Sequence, residues 1–161
     1  MNLDEDIEIV KQQELSLIFE KFDEESAARL GHLAIELAIS KNQSVIVAVR
    51  IAGSPVFLQA LPGTAPVNFR WANRKANLVE LYGKSSYLLG LNNQKTGSDL
   101  ISVTGLSLND YAAHGGSFPI RVSNIGLIGS VTVSGLPQRE DHILVTDALG
   151  KFLNVSIQQL S

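Results

Sequence analysis

The chain has 161 residues, 45% hydrophobic and 18% charged, with a formal net charge of −3, 13 glycines and no cysteine, which is the size and composition of one domain with a substantial core. The missing cysteine excludes disulfides, thiol catalysis, thiolate zinc sites and iron–sulfur clusters, and it fits a reducing compartment, so a cytoplasmic protein is expected. No stretch approaches the roughly 20 apolar residues that span a bilayer, and the acidic opening Met1-Asn2-Leu3-Asp4-Glu5-Asp6 is unlike a secretory signal. The acidic balance and 6% aromatics also argue against a nucleic-acid partner.

The charge is unevenly spread. Residues 1–25 carry nine acids and two bases, a balance of −7, which leaves +4 for residues 26–161. Between Leu37 and Val79 there is no acid, and Lys41, Arg50, Arg70, Arg74 and Lys75 stand unopposed. The N-terminal residues read as a solvated acidic arm; the sharper alternative is a basic site in the body for an acidic ligand.

Residues 2–13 suggest a weak helix or an ordered arm. Leu15 to Phe22 mixes alternation with an apolar run and predicts a strand ending at Asp23. Asp23 then suits a helix N-cap, with Ala27, Leu30, Ala34, Leu37 and Ala38 recurring at helical spacing to about Ser40. Ser44–Ile51 and Val56–Leu61, joined by Ala52-Gly53-Ser54-Pro55, predict a β-hairpin. Thr64 is the expected cap of a helix running from Pro66 to about Tyr82, with Gly83 at its left-handed end. A helical stretch over 86–91, a polar loop through Asp99 and one helical turn within 108–113 follow. Phe118–Val122 and Gly126–Ser134 predict a second hairpin, and Pro137 leads into a last helix facing inward through Val145, Ala148, Leu149 and Phe152. Hairpins imply an α/β (α+β) chain whose helices pack on one antiparallel or mixed sheet of about five strands.

Metal chemistry has little support: His32, His114 and His142 match no zinc spacing, and no metal site is expected. Gly-x-Ser-x-Gly, Gly-x-Gly-x-x-Gly and the Gly-Lys-Ser/Thr loop are all absent, which argues against a serine hydrolase elbow and against nucleotide loops. His142 falls in the first turn of the last helix, whose dipole disfavours its protonation, so it reads as a neutral hydrogen-bond partner or ligand. His114 precedes Gly115-Gly116; the pair either forms a tight turn or brings amides close to a ligand or another chain. Arg70 and Arg74 lie one turn apart beside Trp71, a cationic rim over an aromatic strip that suits either an acidic planar ligand or a neighbour's acidic arm.

The run Gly115-Gly116-Ser117-Phe118-Pro119-Ile120, then Gly126 and Ile128–Gly135, resembles the signature of the haem-degrading-domain superfamily (HbpS/GlcG-like). Leu61-Pro62-Gly63-Thr64, Trp71, Arg74-Lys75, Ser85-Ser86, Ala112–Gly116, Ser134–Pro137 and Asp141-His142 are closer still to its uncharacterised bacterial and fungal subfamily. The resemblance covers about residues 13–154 of one domain over residues 1–161, leaving 1–12 as an acidic arm and 155–161 as a tail. It implies a profilin-like sandwich with a mostly antiparallel sheet, assembly of the chain with itself as a dimer or larger ring, and binding of haem or a related tetrapyrrole in some relatives. With Cys absent and methionine limited to Met1, axial ligation would fall to His114, His142 or an oxygen. The expected site joins His114, Gly115, Gly116, Arg121, Arg74, Trp71 and Arg50 around a small organic ligand, haem among the possibilities. An enzyme using His114 as acid or base and a ligand-free scaffold are the alternatives.

Overall fold

The computed structural model describes residues 2–161; Met1, the one methionine weighed as a haem ligand, lies outside them. The elements are α1 (Leu3–Ser16), α2 (Glu24–Ser40), β1 (Ile46–Ile51), β2 (Ser54–Ala60), α3 (Pro66–Tyr82), α4 (Ser86–Thr96), α5 (Leu100–Val103), β3 (Ser117–Val122), β4 (Gly126–Ser134) and α6 (Gln138–Leu153). The four strands form one sheet in the order β2-β1-β4-β3, antiparallel at every pairing.

The main departure from expectation comes at the start. Of the two readings of residues 2–13 the structure has the helix, docked on the body rather than a solvated arm: Asn2 accepts from the Asp4 amide at 3.2 Å, and Asp4, Glu5 and Asp6 occupy the first turn, where carboxylates meet unpaired N–H groups. Its buried residues Asp6, Ile7, Val10, Gln13 and Glu14 recur at helical spacing and dock it on α4. The expected strand over 15–22 does not form, because α1 continues to Ser16 and α2 begins at Glu24. What remains is one parallel bridge, in which Phe19 donates to the Arg121 carbonyl at 2.9 Å and accepts from the Ser123 amide at 2.8 Å. The sheet therefore has four strands rather than about five.

Elsewhere the elements follow the sequence closely. Asp23 caps α2 by accepting from the Ser26 amide at 2.8 Å, and Ala52 and Gly53 carry the β1–β2 turn with φ of 50° and 77°. Asn68, rather than Thr64, stabilises the start of α3, its Oδ1 accepting from the Ala65 amide at 2.8 Å, while the Thr64 hydroxyl donates to the Leu61 carbonyl. Gly83 closes α3 at φ 64°. α4 runs one turn beyond its expected end, and the helical turn expected within 108–113 is a hydrogen-bonded turn.

α2 and α6 cover one face of the sheet, meeting Val45, Val47, Val49, Phe118, Ile120, Val131 and Val133 in the main core. Alternation sends the other strand residues toward α3. That face is polar: Ser130, Thr132 and Ser134 are buried on it, and the Ser117 and Thr132 hydroxyls lie 2.8 Å apart. A helix lying on such a face buries polar groups of its own, and this sets up the site. Among the described residues no helix is long and apolar enough to cross a membrane.

Candidate functional site

On α3 the buried stripe Ala72, Ala76 and Val79 also contains Lys75, whose side chain is only 3% exposed. Its ammonium donates to three acceptors: the Val133 carbonyl at 2.7 Å, the Gly115 carbonyl at 3.0 Å and Asp141 Oδ2 at 3.0 Å. Three acceptors suit the three N–H bonds of the charged form. Burial nevertheless pulls the lysine below its ordinary pKa and pushes the Asp141 carboxyl above its own, each shift opposed by the other's charge. Asp141 is held from the far side by the Leu136 amide, which donates to Oδ1 at 3.0 Å. One ion pair thus ties together α3, the loop before β3, the end of β4 and the start of α6.

The glycine pair fits around this knot. Gly116 sits at φ 122°, and a Cβ there would lie 2.6 Å from Lys75 Nζ and 2.8 Å from Asp141 Cβ. A Cβ on Gly115 would collide with the Gln138 carbonyl. Gly116 therefore permits close approach to the buried pair, and Gly115 to the start of α6 and the Tyr87 ring. The Gly115 amide donates to Gln138 Oε1 at 3.3 Å.

Above the pair opens a cleft of about 230 Å³, lined among others by Asn68, Trp71, His114, Ser134 and Gln138. His114 meets Trp71 edge-on with ring centroids 4.9 Å apart, and the Arg74 guanidinium lies 4.3 Å from the Trp71 ring centroid. Partial desolvation and the Arg74 and Lys75 cations hold His114 below its ordinary pKa, so it is neutral at pH 7. Arg74 donates weakly to the Tyr111 carbonyl at 3.4 Å, and among the described residues its Nε has no partner. Among the described residues Arg74 forms no salt bridge, so one uncompensated cation lies against the Trp71 side of the cleft, while Arg70 donates weakly to Asn109 Oδ1 at 3.4 Å.

Of the expected site residues, the structure brings together His114, Gly115, Trp71 and Arg74, with Gly116 directly beneath. Arg50 and Arg121 do not join them. Arg50 lies along another strip of α3, donating to Asn77 at 2.8 Å and Asn73 at 2.6 Å with Glu80 at 3.6 Å, and Arg121 donates to the Gly83 carbonyl at the end of α3. Both start from strand positions facing α3, and each finds its nearest polar partners there. His142 is fully buried, stacked on Tyr87 at 4.9 Å, with its Nε2 2.9 Å from Gln13 Oε1. The Gln13 amide nitrogen donates to the Gln158 carbonyl at 2.8 Å, which leaves Oε1 to accept from Nε2–H. His32 sits in the opposite layer against Phe57. Within the chain Asp4, Asp6 and Glu14 of α1 pair with Lys95, Arg139 and Lys84.

Lys75 and Asp141 were not singled out as a pair from the sequence, nor Asn68, Gln138 and Ser134 as lining residues. The available signal was position: Lys75 falls between the apolar residues Ala72, Ala76 and Val79 of one helix face, where a cation needs a buried counter-charge.

The chain is 48% identical over 161 residues to a UPF0303 protein of Azotobacter vinelandii, covering 100% of this chain and 97% of that one. Its fold superposes on the crystal structure of Ybr137w protein with a TM-score of 0.84 at 23% identity, covering 94% of this chain and 90% of the other. It also superposes on the PduOC:heme complex with a TM-score of 0.68 at 22% identity, covering 81% and 94% of the two chains. Residues 22–150 match the family described as haem degrading protein HbpS-like, so this chain belongs to the HbpS-like family.

Proposed function

We propose that this chain is a cytoplasmic, self-associating protein that binds a compact, planar organic acid in the cleft between α3 and the start of α6. The observation that carries this reading is the His114–Trp71–Arg74 cluster at the cleft mouth, in which the Arg74 cation lies over Trp71 and, among the described residues, forms no salt bridge. An aromatic flank, a neutral imidazole and the Arg74 cation favour a flat molecule with a carboxylate edge. Asn68 and Gln138 supply amide groups to orient it.

Haem is the ligand that the fold relatives bring to mind. A volume of about 230 Å³ falls short of the roughly 300 Å³ at which pockets for drug-sized ligands begin, so the cleft does not enclose a porphyrin. Of the three imidazoles, His142 is buried and His32 lies in the other layer, which leaves His114 alone on the cleft rim. The residues present suit the smaller acid better.

Trp71 is the sole tryptophan, so its fluorescence reports the cleft directly. Benzoate should change it saturably, with affinity about tenfold weaker in Arg74→Gln, the cost of one charge-assisted contact. A panel of aromatic and aliphatic carboxylates that leaves the emission unchanged would end this reading. So would haemin giving a Soret shift that vanishes in His114→Ala, which would make haem the ligand.

One observation favours a catalytic reading of the same cleft: a neutral imidazole at pH 7 is ready to accept a proton. It predicts that a small acid disappears from a metabolite mixture incubated with wild-type protein but persists with His114→Gln. Unchanged mixtures in both would leave a binding role.

A further inference from the structure

β2 is the outer strand of the sheet, and its far edge has no partner strand among the described residues. The hydrogen bond from the Leu61 amide to the Val45 carbonyl, at 2.9 Å, fixes the phase of the β1–β2 ladder. With Ala60 opposite Ile46 and Leu58 opposite Ala48, it is Leu58 and Ala60 whose backbone groups point outward. The strand carries no charge from Ser54 to Ala60. Natural edge strands are usually guarded by lysines, inward charges or a covering loop, and here only Pro55, at one end, serves.

The side chains beside this edge are also unfinished. Ile46, Leu58, Ala60, Ala65, Pro66 and Phe69 line an open groove of about 380 Å³. Leu58 is 51% exposed, Phe69 40% and neighbouring Val67 54%. The groove's one hydroxyl, on Thr64, is already spent on the Leu61 carbonyl.

We infer that β2 and this groove form the surface on which a second copy of the chain docks, the two β2 strands running antiparallel about a two-fold axis near Leu58. The occupant follows from the edge itself. A two-fold axis presents identical patches to each other, and an antiparallel strand pair is self-complementary under that operation, outward N–H meeting outward C=O. With no charge in the strand or the groove, self-pairing sets no like charges together. The two sheets would join into one of eight strands, and each groove would receive the partner's Leu58. This rests on the self-association proposed above, and it names the surface responsible.

Light scattering on the full chain, with single cysteines introduced into its cysteine-free background, tests the assignment. Wild type should run as a dimer or an even multiple, and Leu58→Glu and Phe69→Glu should each lower the assembly size at least twofold with unchanged circular dichroism. Ile125→Glu, at an exposed site on the β3–β4 turn, should not. Mild oxidation should give a covalent dimer from Leu58→Cys and none from Ile125→Cys. A monomeric wild type would overturn both self-association and this surface. An oligomer of unchanged size in both Glu variants, without Leu58→Cys cross-linking, would overturn the surface alone and point to another. Monomers that instead capture an added copy of the Ser54–Ala60 peptide would make the edge a receptor for foreign strands and overturn the homodimer.

Discussion

His142 is neutral because no charge can be solvated where it sits. Burial, with the Arg139 cation nearby, lowers its pKa to about 3 from an ordinary 6.5. The sign follows directly. Above pH 6.5 both folded and unfolded chains hold a neutral imidazole, so this group adds no pH dependence. As the pH falls from 6.5 toward 3 the unfolded chain takes up a proton that the folded one refuses, and stability drops by on the order of 5 kcal/mol over the whole window. Urea melts from pH 8 to pH 4 should show this loss, and His142→Gln should flatten it. The Lys75–Asp141 pair behaves differently, because its members protect each other. Asp141→Ala strands a buried cation and should cost about 3–5 kcal/mol, whereas Asp141→Ala with Lys75→Met should recover a large part of that. Chemical denaturation of the four-member mutant cycle measures the coupling.

At the scale of elements, two contacts decide how the layers sit. Gly31 on α2 leaves room for the Phe57 ring of β2, and a Cβ there would collide with it. Gly31→Ala should therefore destabilise by about 1–3 kcal/mol despite its better helix propensity, as read by a thermal melt. The other contact is α1, clasped by Arg139, which donates to both oxygens of Asp6 at 2.7 and 3.1 Å, and by the Ser85 amide, which donates to Glu14 at 2.7 Å. In Arg139→Ala the amides of α1 should exchange hydrogen markedly faster while those of β1 and β4 keep their protection. α1 also shows where sequence reading stopped short. Its acids suggested solvent, yet Asp6 and Glu14 lie inward on the same helical stripe as Ile7 and Val10, paired with cations distant in sequence. The alternation over 15–22 that suggested a strand reduces to the burial of Leu17 and Phe19 in a connecting segment. Local patterns carried the two hairpins, α2, α3 and α6, because caps, turns and periodicity act over a few residues. The cleft depends on contacts such as Lys75 with Asp141, 66 positions apart, which no local pattern encodes. His114, Trp71 and Arg74 were legible as separate features; their union needed the fold.

For the whole molecule, the division of charge seen in the sequence turns inward. Asp4, Asp6 and Glu14 of the first helix are paired with bases of the body, and the β2 edge on which a second copy is proposed to dock carries no charge, so that contact involves no ion pair. The assembly size should accordingly hold from about 0.1 M to about 1 M salt, a range over which screening shortens from roughly 10 to 3 Å. Light scattering across that series checks it, and dissociation at high salt would restore a charge-driven interface.

The guanidinium of Arg139 grips Asp6 near one end of the chain and, at 2.7 Å, the carbonyl of Ser161 at the other, while Leu160 is buried against the same small core as Ile7 and Val10. One side chain thus fastens residue 6 to residue 161. A short linker from residue 161 to residue 2 should therefore close the chain into a ring, and new ends opened at the exposed glycines 97 or 105 should be tolerated. Such a permuted chain would keep the cleft while moving both free ends to one of the exposed loops flanking α5.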